Sequence, residues 1–83
     1  MPSRLITLGS DRWSVSPAAE RRPDTTAWHL VLSFRPLTPG GRSLWAPYPM
    51  ESASKAALFA QAARIADDDL IALLTERLSQ VVT

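Results

Sequence analysis

The chain has no cysteine, one histidine and three glycines among its 83 residues. Without cysteine there is no disulfide framework and no thiolate metal site to reinforce a small core. A chain this short removes only about two-thirds of its unfolded surface from water, so a partner subunit would add usefully to its stability. The lone His29 has no thiol to activate, and no serine lies in a nucleophile-elbow pattern. Glycine is too sparse for a phosphate loop: Gly40-Gly41 follows Pro39 and reads as a turn. No apolar run reaches the length of a membrane span, and the segment from Met1 to Gly9 lacks the apolar stretch of a signal peptide. These absences predict a small soluble, cytoplasmic, non-enzymatic domain with no cofactor and no bound metal.

What is present begins with Trp28-His29-Leu30-Val31-Leu32-Ser33-Phe34-Arg35. Even positions are Trp, Leu, Leu and Phe, whereas odd positions are His, Val, Ser and Arg. That period of two predicts an antiparallel strand with one buried side. Residues 4–8 and 12–16 read as two shorter strands around the turn Gly9-Ser10-Asp11, with Trp13 and Val15 on one face. Residues 17–26, with Pro17 and Pro23 among charged side chains, read as a loop. Residues 42–46 form a fourth strand that stops at Pro47, because proline cannot donate to a ladder. From Ser52 the period changes. Leu58, Phe59, Ala62 and Ile65 recur at helical spacing in an alanine-rich run, predicting a helix over 53–66 capped by Ser52 or Ser54. Asp67 reads as the cap of a second helix over 68–82. The architecture is α+β: a four-stranded antiparallel meander with two C-terminal helices packed on one face, all in one domain.

Net charge is +1, unevenly spread. Residues 1–50 carry six Arg against Asp11, Glu20 and Asp24, and residues 51–83 carry Lys55, Arg64 and Arg77 against five acids. The strand half is therefore the basic half. Asp67-Asp68-Asp69 has the composition of a hard-cation site, but successive side chains at a helix start diverge. They are better read as a cap plus carboxylates favoured by the positive end of the helix dipole. His29, on the outward set of its strand, reads as a surface residue.

Two features point to partners. Leu70, Ile71, Leu73, Leu74, Leu78, Val81 and Val82 cover roughly 180° of the second helix, wider than the stripe of roughly 100° that one packing surface needs. Part of that arc, with Ile71, Leu74, Leu78 and Val82, is a candidate interface for a homo-oligomer or another protein. Trp45 and Tyr48 are candidate surface anchors. The alternative is a nucleic-acid-binding face on which Arg4, Arg12, Arg35 and Arg42 meet strand aromatics and neutralise phosphates.

The order of Trp13-Ser14-Val15, the Trp28 to Phe34 strand, the Arg42 to Pro49 segment and an Asp-opened, Leu-rich C-terminal helix resembles a class of short uncharacterised bacterial proteins. That resemblance implies the same meander-plus-helix order and carries no activity. Ser43-Leu44-Trp45 also resembles part of the Ser-x-Trp-Pro motif of MbtH-like accessory proteins. Here Ala46 separates Trp45 from Pro47, and their upstream Asn-x-Glu-x-Gln pattern is missing, so no residue role is carried over.

Overall fold

A computed structural model describes residues 3–81, with the side chain of Val81 left aside. Four strands come first, β1 (Arg4–Leu8), β2 (Asp11–Arg21), β3 (Trp28–Pro36) and β4 (Leu44–Ser52). Two helices follow, α1 (Lys55–Ala62) and α2 (Asp67–Val81). The sheet order is β1-β2-β3-β4 and every neighbouring pair is antiparallel, the expected meander. The β1–β2 turn needs Gly9, whose φ is +63° while Ser10 has no positive φ. A positive φ at the first central residue alone is the pattern of a hairpin turn whose twist matches its strands.

Both helices lie on one face. α1 rests on β2, β3 and β4, and α2 crosses from β1 to β4. The alternation read in β3 is the observed one: Leu30, Leu32 and Phe34 are buried, together with Ile6, Trp13, Val15 and Ala46 from the other strands. Leu58, Ala62, Ile65, Leu70 and Leu74 close this layer from the helices. Trp28, expected in the core, is half-buried at its margin. Its ring is flanked by the Arg21 guanidinium at 4.6 Å and the Lys55 ammonium at 4.8 Å, each a cation over a π face.

Besides later starts for β4, at Leu44 and not Arg42, and for α1, at Lys55 and not residue 53, three ends differ from the sequence reading. β2 does not stop at Ser16 but continues through Pro17 to Arg21, each residue opposite one of β3. Among the described residues the β1 ladder ends at the Arg4–Val15 pair, so this half of β2 has a neighbour on one side only. An edge tolerates a residue with no N–H. β4 likewise runs through Pro47 and Pro49 to Ser52, and it is the outermost strand. Finally, α1 ends at Ala62 and a short turn through Ile65 separates it from α2. Ser54 caps α1, its Oγ accepting from the Ala57 N–H at 3.3 Å. Asp67 is the first helical residue and not the cap, because the Ala66 carbonyl accepts the first helical bond, from the Leu70 N–H at 3.2 Å.

Candidate functional site

With both helices on one face, the other face of the sheet carries the outward residues of four strands. Down its middle run His29, Val31, Ser33 and Arg35 of β3. Ser14, Ser16, Ala18 and Glu20 of β2 stand opposite Arg35, Ser33, Val31 and His29 in turn. On β4, Trp45 faces Ser33, Pro47 faces Val31 and Glu51 faces His29. The middle of the face is thus small and weakly polar. Trp45, 61% exposed, stands on one flank and Leu5, 52% exposed, on the other.

The ends of this face differ in charge. At one end Glu20, His29 and Glu51 form a row across β2, β3 and β4. His29 Nδ1 lies 3.5 Å from Glu51 Oε2. The His29 side chain is only 20% exposed, and its Nε2 is buried without a hydrogen-bond partner. A cavity of about 540 Å³ opens here, lined by these three residues and by Arg22, Val31, Pro47, Pro49 and Met50 among others, so its two carboxylates already have one guanidinium in the same wall. The cavity sits where the β3–β4 register slips: Leu30 pairs with Tyr48 but His29 pairs with Glu51, so Pro49 and Met50 have no residue opposite them on β3. At the other end, Arg35 and Arg12 are exposed, with Ser14 between them in the ladder.

The residues singled out from sequence separate into three groups. Trp45, Arg12 and Arg35 share the open face. Tyr48 does not: its position on β4 turns it inward, where it is half-buried against the core. Arg4 also points inward. Its guanidinium donates to the carbonyls of Ala62, Ala63 and Ile65 and pairs with Asp67 at 3.2 Å, so it ties β1 to the turn between the helices. Arg42 lines a second cavity, of about 320 Å³, with Trp13, Leu44 and Leu78.

The α2 residues belong to the interior to different degrees. Leu74 is fully buried, and Ile71, Leu73 and Leu78 are half-buried against the core. Crossing the whole sheet from β1 to β4 gives α2 a wide contact surface, and its broad apolar arc is spent largely there. Val82 lies outside the described residues. Asp67, Asp68 and Asp69 occupy the first turn of α2, and among the described residues no group of three or more His, Asp or Glu is placed to hold a metal ion. No helix among those residues is long and apolar enough to cross a membrane.

Glu20 and Glu51 entered the sequence reading only in the charge balance and were not candidates for a site. Their closeness to His29 depends on the ladder register, which only the strand extensions past Pro17 and Pro47 create. No known protein family matches the chain, and no curated protein and no solved structure matches it either.

Proposed function

We propose that the chain is a non-enzymatic protein-interaction module and that its contact surface is the open face of the sheet. The observation that carries this reading is the face itself. A sheet strip of small residues is flanked by an exposed Trp45 and an exposed Leu5 and ends in opposite charges. Exposed aromatics beside a weakly polar strip are what interface anchors require. The helix supports the reading less than the sheet does, because Leu74 has no surface to offer and its neighbours on α2 have little.

A photo-crosslinking residue in place of Trp45, introduced in cells of the native host, tests this. The expected product is a protein adduct, whether with a second copy or with another chain. A crosslinker in place of Arg64, exposed on the helix side, should give none. Absence of any protein adduct at Trp45 would refute the proposal.

The nucleic-acid alternative keeps Arg12, Arg35 and Trp45 on one end of the same face. It loses Arg4 to the helix turn and must contend with Glu20 and Glu51 at the other end. Phosphate binding weakens steeply with salt, so a labelled oligonucleotide titrated at low and high salt discriminates. A flat titration removes this alternative.

A further inference from the structure

The charges on the open face form a self-complementary pattern. Leu32 is the midpoint of β3 between His29 and Arg35. A two-fold axis lying across the strands at Leu32 reverses strand direction and keeps each strand's lateral position. It therefore carries Arg35 onto the position of His29, which has Glu20 on one side and Glu51 on the other. The same operation carries Val31 onto Ser33, so the small middle of the face meets itself; it also carries Arg12 toward Arg22 at the outer margin of each cavity, a like-charge contact that the Arg35 contacts must outweigh. A two-fold axis running along the strands would instead set arginines on arginines and carboxylates on carboxylates.

From this we infer that the partner for the open face is a second copy of this chain, packed face to face and antiparallel, with Arg35 of each copy entering the cavity between Glu20 and Glu51 of the other. The inference rests on the proposal that this face binds protein. Stacked sheets lie about 10 Å apart. An arginine and a glutamate reaching from opposite sides meet across that gap. The two charged rows are six residues apart along β3, about 20 Å, so the two contact sites lie far enough apart to fix orientation. In the cavity, the guanidinium supplies N–H donors to the two carboxylates. An arrangement in which the same patch serves both copies closes on itself and gives a dimer, not a filament. Only β2, β3 and β4 overlap in this arrangement, because β1 lies at one end of the face. Three strands about 5 Å apart and about 25 Å long give a footprint of roughly 400 Å² per copy. The total is then about 800 Å², below the usual range of specific interfaces, so the dimer should be weak and reversible.

Sedimentation or light scattering across micromolar to millimolar protein provides the test. Wild type should pass from monomer to dimer, with the midpoint rising at about 1 M salt, where screening is complete within about 3 Å. Arg35→Glu alone, and Glu20→Arg with Glu51→Arg together, should each weaken association by about tenfold or more, since each sets like charges against one another. Mixed one to one, the two variants should form a heterodimer about as tight as wild type, because residue 35 of each copy again faces opposite charges at positions 20 and 51 of the other. The helix-side variant Arg64→Glu should dimerise like wild type. Far-ultraviolet circular dichroism verifies folding; where a reversal fails it, Arg35→Gln replaces Arg35→Glu, and Glu20→Gln with Glu51→Gln replaces the double reversal, each with a smaller weakening because an attraction is lost without a repulsion being added. A wild type that stays monomeric at millimolar concentration overturns the inference. If the Trp45 crosslink to another protein then persists, the broader function survives. A dimer indifferent to both charge reversals overturns the choice of face, and failure of the mixed variants to recover overturns the antiparallel register.

Discussion

Replacing Arg4 by alanine removes one side chain that holds three parts of the fold together. Its guanidinium donates to the carbonyl oxygens of Ala62 at 3.3 Å and Ala63 at 3.0 Å, and to that of Ile65. It also pairs with the half-exposed Asp67 at 3.2 Å. A net hydrogen bond to a charged group is worth about 1.5–3 kcal/mol. The ion pair faces water and contributes at most about 1 kcal/mol. These values do not add, because Ala63 and Asp67 are exposed and regain water once the arginine is gone. One well-shielded bond, about 2 kcal/mol, is the expected loss. In urea it should appear as a lower midpoint with an unchanged slope. For a domain of this size it should lower Tm by about 8–16 °C. Asp67→Asn should cost less than about 1 kcal/mol, since the three carbonyl contacts remain. Arg4→Lys should fall between, because one ammonium cannot span three carbonyls and a carboxylate at once. A loss under about 0.5 kcal/mol for Arg4→Ala would mean that the arginine merely lies along the turn.

Leu74→Ala should destabilise by about 2–5 kcal/mol in the same urea measurement, because a fully buried side chain leaves a cavity among Leu70, Leu58 and the sheet residues. Ser54→Ala should cost about 0.5–2 kcal/mol through the lost cap on α1, with Ser54→Asp close to neutral. Trp45→Ala should leave the urea midpoint within about 0.5 kcal/mol of wild type, as expected of an exposed side chain, while reducing capture of whatever partner the sheet face binds.

The fold was legible wherever one residue pattern had one physical cause. β3 alternates strictly because one side is covered by helices and the other is not, and the helices announce themselves by the change of period at Ser52. The extensions of β2 and β4 were not legible for an equally definite reason. Proline is excluded from a ladder only where its missing N–H would face a neighbour, and a linear sequence does not say which strand lies at an edge. Once β2 is known to outrun β1, Pro17 ceases to be a stop signal. The same ambiguity hid the site. Glu20 lay in a segment read as loop and Glu51 in a stretch assigned to no element, so neither could be assigned to a face, and His29 read as isolated. Arg4 misled in the opposite sense: its position in a strand suggested exposure, but the inward parity of Ile6 fixes Arg4 on the helix side. The width of the α2 apolar arc had been divided between burial and partner; α2 contacts both edge strands, β1 and β4, and Leu70 and Leu74 are buried while Ile71, Leu73 and Leu78 are half-buried against the core.

The register slip between β3 and β4 separates two properties of the acidic end that would otherwise look like one. A slip of one residue would have turned Glu51 toward the helices, since side chains alternate strand face at every step. Here two residues, Pro49 and Met50, are left over, so the alternation is preserved and Glu51 still stands beside His29 on the open face. The closeness of His29 and Glu51 therefore does not need the extra residues, whereas the cavity does, because Pro49 and Met50 form part of its wall. Deleting both should bring Glu51 opposite His29 in an uninterrupted ladder and close the opening above the imidazole. Backbone amide exchange or nuclear Overhauser contacts between β3 and β4 would verify the ladder. With the ladder intact and the cavity closed, self-association should weaken as it does for Arg35→Glu, even though every charged residue on the face is still present. Unchanged association in a deletion variant with a regular ladder would locate the binding energy in the flat middle of the sheet and exclude the cavity as the seat of the arginine.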